Sequence, residues 1–91
     1  MERSRALDLL RSEHSFPGDF RFRVVVRVGA EPAVLSAISV LSGVQVKDVS
    51  SKPSRNGNYI SLRVFTKVDL AETVLAVYEV IRGVDGVMVS L

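Results

Sequence analysis

Phe20-Arg21-Phe22-Arg23-Val24-Val25-Val26-Arg27-Val28 decides the fold. Phe20, Phe22, Val24, Val26 and Val28 alternate with Arg21, Arg23, Val25 and Arg27. A period of two, built from aromatic and β-branched residues, is the pattern of a strand with one face in a core and the other turned away from it. Gly29-Ala30-Glu31-Pro32 breaks the strand. Pro32 suits a first helical position, where its missing N–H costs nothing.

Downstream, the pattern changes period. Val34, Ile38 and Leu41, widened by Leu35, form one stripe and predict a helix over 33–42, with Gly43 as its C′ residue. Alternation resumes at Val44-Gln45-Val46-Lys47, but Asp48 then falls where an inward residue is due, so a bulge is expected near Lys47-Asp48. Pro53 cannot donate to a ladder and places this second strand at a sheet edge. Ser54-Arg55-Asn56-Gly57-Asn58 is a hairpin signal with Gly57 at positive φ. Tyr59–Thr66 reads as the third strand, with Ile60, Leu62 and Val64 facing one way and Tyr59, Ser61, Arg63 and Phe65 the other. Asp69 and Glu72 resemble a capping box. Leu70, Val74, Val77, Tyr78 and Ile81 give a second helical stripe, which ends near Gly83. Val87–Leu91 reads as a short last strand.

Upstream, Pro17 holds Phe16 extended and Gly18-Asp19 is turn chemistry, so a single domain is expected over 16–91. Residues 1–15 form an N-terminal segment with a short helix over about 4–11, Ser4 as its N-cap, expected to add little to the fold. The element order predicts an α+β, ferredoxin-like βαββαβ domain: a four-stranded antiparallel sheet of order 4-1-3-2 with two helices on one face. Phe22, Val24, Val26, Ile60, Leu62, Val64, Ile38, Leu41, Val74, Val77 and Ile81 are the expected core.

Composition narrows the function. Ninety-one residues allow one thin core. The chain has no cysteine, which removes disulfides, thiolate catalysis and cysteine-based metal centres. Its single histidine, His14, lies in a polar segment with no partner to orient it, so neither a general base nor a metal site is expected there. Glu31, Asp69 and Glu72 stand at helix starts, where the dipole favours them. Twelve Lys and Arg against ten Asp and Glu give a net charge of +2, too small to imply nucleic-acid binding by itself. Apolar runs are far shorter than the roughly 20 residues a membrane-spanning helix needs, and no apolar stretch follows the charged start. A cytoplasmic protein without cofactor, metal or membrane attachment is expected.

Three stretches resemble a known family. Phe16-Pro17-Gly18-Asp19-Phe20-Arg21-Phe22-Arg23-Val24 resembles the FPxxFxxKV opening of the YbeD-like family of small bacterial domains of unknown function. Lys52-Pro53-Ser54-Arg55-Asn56-Gly57-Asn58-Tyr59-Ile60-Ser61 resembles its KPSxxGNYxS segment, and Val77-Tyr78-Glu79 with Val87-Met88-Val89-Ser90-Leu91 its VYxxL…VxMVL tail. The resemblance covers 16–91 and departs at Arg11–Ser15. It implies a ferredoxin-like fold akin to ACT regulatory domains and no catalytic residues. Ala30-Glu31-Pro32-Ala33-Val34-Leu35 is similar to the first strand-to-helix loop of ACT domains, written D-x-P-G-V-L, with Ala33 in place of the glycine and the acid displaced.

Two groups of residues are candidate sites. Gly29 and Pro32 in the ACT-like loop, and Lys52, Ser54, Arg55, Asn58 and Tyr59 around the hairpin, are candidates for binding a small ligand or partner; the hairpin reads more readily as a solvated turn. Arg21, Arg23, Val25, Arg27, Arg63 and Phe65, joined by Tyr59, Ser61 and Lys47, form a candidate interface on the open face. Basic residues among aromatics there are similar to the RNA-recognition motif, but Val25 stands where a stacking ring is expected. The expected function is that of a non-catalytic regulatory or adaptor domain acting on a protein partner or a second copy of itself. An ACT-like small-molecule sensor comes second, and weak binding of single-stranded RNA third.

Overall fold

The computed structural model describes residues 2–90. Its elements are α1 (Arg3–Glu13), β1 (Gly18–Arg27), α2 (Glu31–Ser39), β2 (Val44–Pro53), β3 (Tyr59–Val68), α3 (Ala71–Arg82) and β4 (Val87–Ser90). The strands form one antiparallel sheet in the order β2-β3-β1-β4, the expected order counted from the other edge. β1 and β3 are the central pair, in register from Gly18 opposite Val68 to Arg27 opposite Tyr59. β2, with Pro53, lies at an edge, and its pairing to β3 shifts between Val46 and Asp48, so the expected bulge is present with Lys47 as the extra residue. Leu91, expected in the last strand, lies outside the described residues.

The inward residues of the central pair meet the stripes of α2 and α3. Phe22, Val24, Val26, Leu62, Val64 and Val68 from the strands pack with Val34, Ile38, Val74, Val77 and Ile81. Each such side chain contributes about 1.5–3 kcal/mol relative to an exposed one. Ile60 and Leu41, expected in the core, lie partly buried at its margin. Val68 joins the core because β3 runs two residues past its expected end. Among the described residues Thr66 is the buried polar one, and its hydroxyl donates to the Phe20 carbonyl at 2.7 Å.

Several boundaries differ from the sequence reading for local reasons. Gly18 and Asp19 are not a turn: they pair with Val68 and Lys67 and extend β1. α2 begins at Glu31 and stops at Ser39, where the Ser39 hydroxyl donates to the Leu35 carbonyl at 2.7 Å and competes with the helical ladder. Gly43 follows at φ +85°, and a Cβ there would run into the Asp69 carboxylate. The expected capping box does not form. Leu70, not Asp69, is the N-cap of α3; the Asp69 carboxylate accepts the Thr73 hydroxyl, and Glu72 turns to Arg11 of α1.

The N-terminal segment is part of the packed domain. α1 is longer than expected, Glu2 rather than Ser4 is its N-cap, and Leu10 packs against the core margin. Arg11 and Glu72 form an ion pair at 2.7 Å, while the His14 ring lies 4.9 Å from that of Phe20. The sequence reading expected little from this segment because only Ala6, Leu7, Leu9 and Leu10 interrupt its polar run. No helix among the described residues is long and apolar enough to cross a membrane.

Candidate functional site

Helices cover one face of the sheet, and strand alternation sends every second residue to the other. From the hairpin end, Lys52 on β2, Ser61 on β3, Val25 on β1 and Val89 on β4 form one row across this open face. Ser50, Arg63 and Arg23 form the next, then Asp48, Phe65 and Arg21, then Gln45, Lys67 and Asp19. Arg27 faces Tyr59 beside the hairpin. Arg21, Arg23, Arg27 and Arg63 are exposed; Val25 and Phe65 are half-buried. The open-face residues expected from alternation therefore share one surface. Val89, which is also exposed and pairs with Val25, enlarges its apolar part, and exposed Met88 stands next to it in the chain at the β4 register shift. They were missed because β4 offers too few residues to show a period.

Charge is unevenly spread over this face. At the bulge end, Lys47 Nζ lies 3.7 Å from Asp19 Oδ1, and the Asp48 carboxylate accepts the Val49 N–H at 2.9 Å. Two acids, Asp19 and Asp48, stand there among three cations, Arg21, Lys47 and Lys67. At the hairpin end, Arg23 stands directly opposite Arg63. Like charges at opposed positions destabilise a sheet. Beside this pair a hollow of about 410 Å³ is lined by Arg23, Val25, Lys52, Arg55, Ser61 and Arg63, and among the described residues no Asp or Glu lines it. Lys52 and Arg55 come from the hairpin group and Arg23 and Arg63 from the open-face group. The structure thus joins two sets of candidates that the sequence kept apart.

The hairpin holds this arrangement in place. Ser54 C=O accepts the Gly57 N–H at 3.0 Å, closing a four-residue turn with Gly57 at φ +76°, and Ser54 N–H donates to the Tyr59 carbonyl at 2.8 Å. The Ser54 hydroxyl donates to Asn56 Oδ1 at 3.3 Å and accepts the Tyr59 N–H at 3.1 Å. Ser54 is therefore a turn-forming residue whose hydroxyl is already engaged. The Asn58 carbonyl accepts the Val28 N–H at 3.3 Å and ties the hairpin to the end of β1. Tyr59 and Phe65 lie six residues apart on β3, which at about 3.3 Å per residue holds the rings about 20 Å apart. They cannot stack on neighbouring bases.

The ACT-like loop is closed on itself. Gly29 N–H donates to Glu31 Oε1 at 2.6 Å, and Pro32 occupies the first turn of α2. One backbone donor of the loop is taken by this chain's own carboxylate, and neither Gly29 nor Pro32 lines the basic hollow. Between α1 and α3, a shallow apolar groove of about 330 Å³ is lined by Leu9, Leu10, His14, Leu75 and Tyr78. Burial raises the Tyr78 hydroxyl above the ordinary tyrosine range. Among the described residues no three His, Asp or Glu side chains gather to hold a metal ion.

Fold and site together define a small α+β domain with a helix-covered face and a basic open face. The family profile described as "Protein of unknown function (DUF493)" matches residues 11–91, and the chain belongs to that family, the YbeD family of unknown function. The match reaches back into α1, across the segment where the resemblance departs. No curated protein and no solved structure matches the chain.

Proposed function

We propose that this ferredoxin-like domain is a non-catalytic adaptor or regulatory module of the cytoplasm that docks an acidic protein partner on its open sheet face. The observation that carries the reading is the Arg23–Arg63 pair, set opposite each other and beside Lys52 and Arg55, with no Asp or Glu among the described residues lining the hollow between them. Folding alone gives no reason for this placement; an acidic partner does. Apolar Val25 and Phe65 lie among the cations and supply area that a partner would cover.

Charge also chooses between a foreign partner and a second copy. Two copies meeting with their hairpin ends together would bring arginine against arginine, and such juxtaposition disfavours wrong partners by several kcal/mol. The ACT-type sensor reading has less support, because Glu31 already holds the loop donor at Gly29. The RNA reading has the cations but not adjacent rings.

The test compares the parent chain with Arg23→Glu/Arg63→Glu as baits in native cytosol, alongside sedimentation of each. A monomeric parent that retains acidic proteins, releases them as salt rises and loses them in the variant supports the reading. A dimer broken by Phe65→Glu transfers the face to self-association. Salt-sensitive binding of mixed single-stranded RNA by a monomer transfers it to nucleic acid.

A further inference from the structure

We propose that the hollow at the hairpin end of the open face is a binding site for the phosphoryl group of a phosphate monoester. Four cations border it: Arg23 from β1, Lys52 from the end of β2, Arg55 from the hairpin and Arg63 from β3. They come from three strands and a turn, so the cluster exists only in the folded sheet. The ion pairs among the described residues lie elsewhere, at Arg11–Glu72 and Lys47–Asp19. Among the described residues, the four cations therefore line one hollow with no acidic side chain beside them.

The chemistry of the lining selects the ligand. A carboxylate brings one charge and two acceptor oxygens, whereas a phosphate monoester at neutral pH brings about −1.5 to −2 and three strong acceptors. Two guanidinium forks on adjacent strands suit the bidentate geometry of phosphate oxygens, and an ammonium adds a mobile point charge. The Ser61 hydroxyl on the hollow's lining is a further donor. At about 410 Å³ the hollow has room for the group that bears the phosphate as well as the phosphate itself. Val25, half-buried at its wall, offers that group an apolar surface.

At the opposite end of the face, a second hollow lined by Asp19, Arg21, Lys47 and Phe65 contains an acid, and its lysine is already paired. It serves as an internal control. The phosphate site lies within the proposed docking face, but its test needs no protein partner, so its failure leaves that reading standing.

The experiment titrates the isotope-labelled full chain with inorganic phosphate at constant ionic strength, with chloride and acetate as comparators, and follows backbone amide resonances. Saturable shifts centred on Arg23, Lys52, Arg55 and Arg63 are expected from phosphate alone. Affinity should fall at least fivefold in Arg63→Gln and in Lys52→Gln, and less than twofold in Arg21→Gln. It should also fall several-fold as pH drops below the second phosphate pKa of about 6. Ribose 5-phosphate and a phosphoserine peptide, each beside its dephosphorylated form, distinguish a free ester from one carried by a polypeptide. At least one should bind more tightly than inorganic phosphate.

Equal shifts with chloride, shifts centred on Arg21 and Lys47, or unchanged affinity in a folded Arg63→Gln would overturn the proposal. So would monoesters that bind no better than their dephosphorylated forms. Thermal unfolding of each variant, with and without phosphate, establishes that it is folded. The parent transition should rise with phosphate, and that of Arg63→Gln should not.

Discussion

On the core face of the β1–β3 pair, Val26 stands opposite Ile60, Val24 opposite Leu62 and Phe22 opposite Val64; on the open face of the same pair, Arg27 stands opposite Tyr59, Arg23 opposite Arg63 and Arg21 opposite Phe65. One hydrogen-bonded ladder carries both sets. The core set is apolar and excludes water, so its identities follow from packing. The open set places like charges side by side and half-buries two apolar residues without covering them. Packing does not require that pattern, which is why the open face is where function is sought.

The largest effect should come from neighbouring residues that point opposite ways. Val26 is fully buried, whereas Val25 is half-buried on the open face. Val26→Ala removes two buried methyl groups and leaves a cavity, at a cost of about 2–3 kcal/mol. Val25→Ala should cost less than about 1 kcal/mol. Both changes lose the same intrinsic strand preference, so chemical denaturation of the two variants isolates burial. Equal losses would erase the distinction between the faces.

A smaller effect is expected at the hairpin that carries Lys52 and Arg55 to the edge of the open face. Gly57 has φ +76°, and a Cβ built there meets nothing within 4 Å, so the obstacle is backbone strain alone. Gly57→Val should destabilise by about 1–2 kcal/mol, since a β-branched residue resists positive φ. Gly57→Asn, which tolerates that region better, should recover part of the loss. A valine variant as stable as the parent would show that the turn can be rebuilt without positive φ.

The core face was legible in the sequence because its signal repeats. Phe22, Val24 and Val26, then Ile60, Leu62 and Val64, each give three turns of a period-two pattern, and Val74, Val77 and Ile81 repeat at helical spacing. Asp48 broke that period and so revealed the bulge. Single-residue choices were not legible. Nothing local tells whether Asp69 caps α3 or meets Thr73, or whether Glu72 reaches back to its own helix or across to Arg11. The candidate site was half-read for a related reason. Alternation assigns Arg23, Arg63 and Val25 to one face, and turn chemistry marks Lys52 and Arg55, but only the strand register brings those two groups to one hollow.

The smallest predicted effect is the most informative about the open face. If Arg23 and Arg63 repel across the ladder, each is a cost that the free domain bears. Arg63→Gln keeps most of the side-chain stem and removes the charge, so it should stabilise the free domain by about 0.2–1 kcal/mol, the size of a cross-strand pair. Arg23→Gln should do the same. The double variant should gain little more than either alone, because the repulsion disappears once and not twice. Added salt provides an independent readout. Screening of exposed charges should raise the parent's stability between about 0.01 M and 0.15 M ionic strength, as the Debye length falls from about 30 Å to 8 Å. The single variants should respond less. Hydrophobic stabilisation by salt would move all four proteins together, so the difference between them reports the pair. Additive gains in the double variant would mean that the two arginines act independently, and the argument that the open face holds charge in wait for an anionic partner would lose its energetic basis.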